Sequence, residues 1–219
     1  MSNVLFTAIV KKGKASYFLD QSRRAGATGG TIIHAFGTIT DPILDLLGLS
    51  DSKRELLLML VESQDEDQVH HILENKCQLS RKGHGVLISC PTSSVYGSHH
   101  LNQPFNKEEF PLHSYQLVVT IVDRDLGDEV VKRARQEGAQ GATIIHGRGL
   151  GSEKASQIFN ITIEPEKELV LMIVESAKVA DIIEKLSSAL EIDQPGKGII
   201  FSVAVNNATG LFQQIEVDE

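Results

Sequence analysis

The sequence predicts an α+β chain built from two copies of one βαββαβ unit, and three observations carry that prediction. First, Gly26-Ala27-Thr28-Gly29-Gly30-Thr31-Ile32-Ile33-His34 returns as Gly138-Ala139-Gln140-Gly141-Ala142-Thr143-Ile144-Ile145-His146, a shift of 112 from Gly26 to Gly138. Second, Glu55-Leu56-Leu57-Leu58-Met59-Leu60-Val61-Glu62-Ser63 returns as Glu168-Leu169-Val170-Leu171-Met172-Ile173-Val174-Glu175-Ser176, a shift of 113 from Glu62 to Glu175. Third, both copies arrange their apolar patterns in the same order. A long copied unit with its own glycine pattern means two homologous domains. Residues 1–97 and 114–219 are expected to be the two repeats, joined by a linker over 98–113.

The second copy justifies each element. Leu117 to Val122 is a short β-branched run, hence a strand. From Asp125 to Glu137, apolar residues at Leu126, Val130, Val131 and Ala134 have helical spacing. Gly138 falls where that helix should end, in the left-handed conformation glycine adopts cheaply. Ala142 to His146 and Leu169 to Val174 are the next two strands. Val179, Ile182, Ile183 and Leu186 make the face of a second helix, and Ile199 to Val205 closes the unit. Ser63 and Ser176, each following a repeated glutamate, are expected N-caps.

Right-handed crossovers place both helices of such a unit on one face of a four-stranded antiparallel sheet, the ferredoxin-like arrangement. Yet Leu169 to Val174 is apolar throughout, as in strands buried on both faces. Something must cover the second face, so an oligomer is expected. In the linker, Pro104 and Pro111 predict an extended connector, held to a surface by Phe105 and Phe110.

Composition narrows the function classes. A formal charge of -8 argues against a surface made for nucleic acid or anionic lipid. No run approaches the ~18 apolar residues that suggest a membrane helix, and the start of the chain has no signal pattern, so no membrane insertion and a cytoplasmic location are expected. Cys77 and Cys90 lie in one repeat with no CxxC spacing, which fits reduced thiols.

Three spaced motifs carry a resemblance: Gly138-Ala139-Gln140-Gly141-Ala142-Thr143-Ile144, then Arg148-Gly149-Leu150-Gly151, then Gly196-Lys197-Gly198-Ile199-Ile200-Phe201. Together they resemble the PII signal-transduction proteins, over most of the second repeat and more weakly over the first. The resemblance implies tandem PII-type ferredoxin-like domains in a threefold domain arrangement, for instance a trimer of chains. It implies a small effector, in the family an adenine nucleotide, bound in clefts between domains. It also implies a regulated partner, such as a membrane transporter, reached through loops 38–53 and 150–166.

The implied ligand residues follow the motifs. Glycines admit close approach of backbone N–H groups to phosphate. Gly149, Gly151, Gly196 and Gly198 fit that role, with Leu150 and Lys197 between them, and Thr143 matches the family threonine that faces the base. In the first repeat the corresponding positions are Thr31, Gly37, Gly83 and Gly85, with Ile39 replacing the second glycine of the pair. The alternative is that all these glycines only shape turns and helix ends.

The cation pattern departs from the family. Its lysine after the glycine pair is Ile199 here and Val86 in the first repeat, and its paired arginines are absent from Val205-Asn206-Asn207-Ala208-Thr209-Gly210. Losing them removes most of the charge-assisted bonds that hold a triphosphate. Arg148 and Lys197 are the candidates to supply part of that charge. A less charged or more weakly held effector is expected.

The first loop carries Asp41-Pro42 and Gly48, start and stop signals for a short helix bearing Ile43, Leu44, Leu46 and Leu47. That cluster is either a partner contact or a helix packed on its own domain. The second loop is more polar, and neither has the tyrosine modified in some family members. His34 and His146 recur at one repeat position, as polar strand ends, ligand contacts or metal ligands. No nucleophile–base pairing, P-loop or zinc spacing appears, so no enzyme is expected. A trimeric metal-binding or structural protein of the same fold, with no nucleotide role, is the competing reading.

Overall fold

A computed structural model describes residues 2–37, 52–81, 84–97, 101–106, 108, 113–150, 156–158, 161–163 and 165–211. The chain forms two compact units whose limits cross the repeat boundary. One holds Met1–Pro91 with His146–Lys167, and the other Thr92–Ile145 with Glu168–Glu219.

The first unit contains β1 (Asn3–Lys11), α1 (Ala15–Arg23), β2 (Gly30–Gly37), β3 (Ser52–Glu62), α2 (Glu66–Cys77) and β4 (Gly85–Pro91). Its strands pair antiparallel in the order β4-β1-β3-β2, which is the expected ferredoxin-like sheet. Along β1, Val4, Phe6, Ala8 and Val10 alternate into a core with Phe18 and Leu19 of α1 and Val69 and Leu73 of α2. The period of two on the strand and of three to four on the helices makes those faces meet. On the other side of the sheet, Ile9, Val86 and Ile88 stay exposed.

Further along come β5 (Ser94–Tyr96), β6 (Tyr115–Asp123), α3 (Gly127–Gln136), β7 (Thr143–Leu150), β8 (Ser156–Ile158), β9 (Ile161–Ile163), β10 (Glu166–Glu175), α4 (Val179–Leu190) and β11 (Gly198–Val205). Strands β8 and β9 form a two-stranded antiparallel ladder. In the second unit the sheet order is β7-β10-β6-β11-β5. Its core repeats that of the first: Met172 takes the place of Met59, Ile182 of Val69, and Leu186 of Leu73, all buried. Each such side chain stabilises its unit by about 1.5–3 kcal/mol.

The copies share their turns as well. Gln78 and Glu191 both end a helix at φ 53, and Gly26 and Gly138 follow the first helix of each copy at φ 111 and 90. The serines behave differently from expectation. Ser63 and Ser176 open 3-10 turns without capping through their side chains, and the Ser176 hydroxyl instead donates to the His113 carbonyl at 2.6 Å.

The connector folds back on the second unit. Val95 and Gln103 exchange two backbone hydrogen bonds of 2.8 Å, and the Phe105 N–H donates to the Tyr96 hydroxyl at 3.0 Å. Phe105 packs on the core beneath, as its position predicted. Phe110, the apolar cluster from Ile43 to Leu47, and the glycines Gly83 and Gly151 lie outside the described residues. Among the described residues no helix is long and apolar enough to cross a membrane.

Candidate functional site

A buried carboxylate stands at the same place in both copies. Glu55 on β3 accepts a hydrogen bond from the Ala15 N–H, which opens α1, at 3.0 Å. Its counterpart Glu168 on β10 accepts from the Gly127 N–H, which opens α3, at 2.7 Å. Each carboxylate satisfies an orphan donor at a helix N-terminus and meets the positive end of the helix dipole. That explains Gly127: a Cβ there would lie 2.6 Å from Oε2 of Glu168. The first-turn site that could receive an anion is filled from within the fold.

In the first unit the carboxylate does a second job. Nη2 of Arg148, on the outer half of β7, donates to Oε1 of Glu55 at 2.8 Å. The same stretch of β7 lies antiparallel to β2, with Thr31 opposite Gly149 and Gly30 opposite Leu150. The Gly149 N–H donates to the Pro165 carbonyl at 2.9 Å, and the stem of Lys167 lies over this glycine, where a Cβ would meet Lys167 Cγ at 2.9 Å. Thr31, Arg148 and Gly149, all nominated from sequence, thus come together with Glu55 and Lys167. The latter two were missed. The clue was available: Arg54 and Lys167 are cations at one repeat position, each just before the repeated glutamate.

The remaining nominated residues serve other geometry. Gly198 opens β11 where a Cβ would stand 2.7 Å from the Ile121 carbonyl oxygen, and Gly85 opens β4 with the Ile9 carbonyl at 2.6 Å. Close packing against the neighbouring strand requires glycine at both. Gly196 turns the chain at φ 77, and Lys197 beside it pairs with Glu191 at 2.9 Å on the exposed surface. Thr143 is exposed at the start of β7, and Gly37 ends β2 opposite Ser52.

Other reactive groups are held in structural roles. Ser89 on β4 donates to Glu66 Oε1 at 2.5 Å and lies 3.2 Å from His70 Nε2. The Ser89 hydroxyl donates its hydrogen bond to the carboxylate and not to the imidazole, so this is not a nucleophile–base relay. Burial pushes the Cys77 thiol up to about 11 and raises that of Cys90, which keeps both as neutral thiols. His34 and His146 are exposed, and among the described residues no three His, Cys, Asp or Glu side chains are grouped to hold a metal ion.

The family described as nitrogen regulatory protein P-II matches residues 115–212. Among solved structures, the GlnK–ATP complex of B. subtilis is 20% identical, covering 43% of this chain and 84% of that one, with a TM-score of 0.34. A microcompartment protein from Desulfitobacterium hafniense is 8% identical over 92% of this chain and 94% of that one, with a TM-score of 0.30. No curated protein matches the chain. The family match spans β6 through β11, the six elements of one complete βαββαβ unit and the loop strands between them. Residues 115–212 are therefore similar to the nitrogen regulatory protein P-II family over one complete βαββαβ unit.

Proposed function

We propose that this PII-like chain is a regulator, not an enzyme, and that its effector is a small molecule carrying less charge than a nucleoside triphosphate. One observation carries the proposal: both cations nominated to hold phosphate already sit on carboxylates, Arg148 on Glu55 at 2.8 Å and Lys197 on Glu191 at 2.9 Å. A triphosphate would have to compete with those partners while lacking the family's lysine and arginines. An adenine nucleotide with one phosphate, or a cyclic nucleotide, asks for fewer charge-assisted bonds. The segments 38–53 and 150–166 are the proposed handles for a regulated partner. The chains are proposed to assemble with their domains in a threefold arrangement.

Isothermal titration of the purified chain against ATP, ADP, AMP and cyclic AMP tests the effector class. We expect saturable binding of a monophosphate or cyclic nucleotide at least tenfold tighter than ATP, lost in Gly149→Val. ATP binding tighter than AMP by that factor would overturn the reading.

A further inference from the structure

We infer that the outer edge of β4, to which no strand pairs among the described residues, receives the segment Asn206–Gly210 of a second copy of this chain, added to the sheet as a strand. The pattern for the pairing is already present in the second unit. There β11, the counterpart of β4, has its outer edge covered by β5, with Ser94 opposite Ser202, Val95 opposite Phe201 and Tyr96 opposite Ile200. The Ser93 N–H donates to the Ser202 carbonyl at 2.7 Å, and Gly97 closes the segment in the left-handed region at φ 86. At Gly97 a Cβ would meet the Gly198 carbonyl oxygen at 2.5 Å and Ile192 Cγ2 at 2.6 Å, so the backbone is seated on the lip of β11.

Both halves of this joint exist a second time, separated. The acceptor half is β4. Gly85 and Leu79 stand where Gly198 and Ile192 stand, and a Cβ on Gly85 would meet Leu79 at 3.3 Å as one on Gly198 would meet Ile192 at 2.9 Å. The donor half is Asn206–Gly210, the repeat counterpart of Ser93–Gly97 by the shift of 113 that relates Gly97 to Gly210. Gly210 holds φ 82, nearly the angle of Gly97, yet a Cβ there would meet nothing within 4 Å. The turn is formed and its seat is elsewhere.

Side-chain burial also differs between the two counterpart strands. Phe201 on β11 is 1% exposed, whereas its counterpart Ile88 on β4 is 54% exposed and Val86 beside it 56%. Because β4 ends the strand order among the described residues, its outer edge is of the kind that invites an added strand. Within one chain the first repeat's tail serves the second repeat, so the second repeat's tail must serve a first repeat in another chain. Such a head-to-tail contact repeats from chain to chain. This inference does not rest on the effector proposed above.

The register predicts which side chains oppose each other: Ala208 over Ile88, as Val95 lies over Phe201. The full-length variant Ile88→Cys/Ala208→Cys, with Cys90→Ser to remove the nearby thiol, should form disulfide-linked dimers and higher species under mild oxidation. Directly opposed strand residues bring Cβ atoms within reach of a disulfide. Each single cysteine variant should give at least tenfold less cross-linked product. Light scattering on Ile88→Lys, with circular dichroism to confirm folding, should give a smaller assembly than the unaltered chain. Only uncross-linked chains, or a disulfide closed within one chain, would overturn the inference.

Discussion

Glu55 holds Arg148 at 2.8 Å through one carboxylate oxygen and the first N–H of α1 at 3.0 Å through the other. The Glu55 carboxyl side chain is 2% exposed and that of Arg148 29%, so the acceptor is buried while the guanidinium keeps some contact with solvent. The counterpart of Arg148 in the first repeat is Phe36, and no such cation can return the favour to Glu168 from that position. Both repeats keep the helix-capping carboxylate, while the residue at the Arg148 position differs between them.

Arg148→Ala should cost about 2 kcal/mol, the scale of a hydrogen bond to a charged group when its partner stays buried. Urea denaturation followed by circular dichroism checks this. Glu55→Leu, which removes the charge with its partner, should be milder in an Arg148→Ala background than alone. Equal costs in both backgrounds would mean that the two side chains are not coupled.

Gly198→Ala and Gly149→Ala should separate packing from ligand contact. At Gly198 the obstacle is the Ile121 backbone, which cannot move aside, so about 1–3 kcal/mol of stability should be lost without any ligand. At Gly149 the nearest obstacle is Lys167 Cγ at 2.9 Å, a side chain that can shift where a backbone cannot, so the loss should be smaller than at Gly198, about 0.5–1 kcal/mol. Thermal melts of both variants read the difference directly.

The buried hydroxyls of Ser94 and Ser202 lie 2.6 Å apart, each fully enclosed. Either single alanine variant strands the other hydroxyl and should cost about 1–2 kcal/mol. The double variant should cost less than the two singles added together, with a coupling of at least about 0.5 kcal/mol in a double-mutant cycle.

Cys77 sets an alkaline limit on stability. Its folded-state thiol is raised from 9.0 to about 11 by burial. Below pH 9.0 the thiol is neutral whether folded or not and contributes no pH dependence. Between 9.0 and about 11 the unfolded chain ionises while the folded chain cannot, so stability falls as pH rises. Denaturation at pH 8 and pH 10.5 should show a drop that is smaller in Cys77→Ala.

The repeat, the order of elements and the core faces were legible in the amino-acid pattern because they are local. Two-residue alternation along Val4, Phe6, Ala8 and Val10, and helical spacing along Val179, Ile182, Ile183 and Leu186, declare their buried faces with no knowledge of partners. Gly138 announced its left-handed turn for the same reason. The serine caps failed because a 3-10 turn intervenes before each helix, and the Ser176 hydroxyl donates instead to the His113 carbonyl in the connector.

The pairings were not legible. Glu55 and Arg148 are 93 residues apart, and Ser94 and Ser202 are 108 apart. Nothing in either neighbourhood names the other. Periodicity records which side of an element is apolar, not which polar group waits across the fold. So the kind and number of domains were written in the chain, whereas the docking of Ser94–Tyr96 on β11 and the neutralisation of Arg148 arose only when distant backbone edges and charges met. Burial then made each of those meetings obligatory, because an unpaired strand edge or charge costs too much to leave unmet.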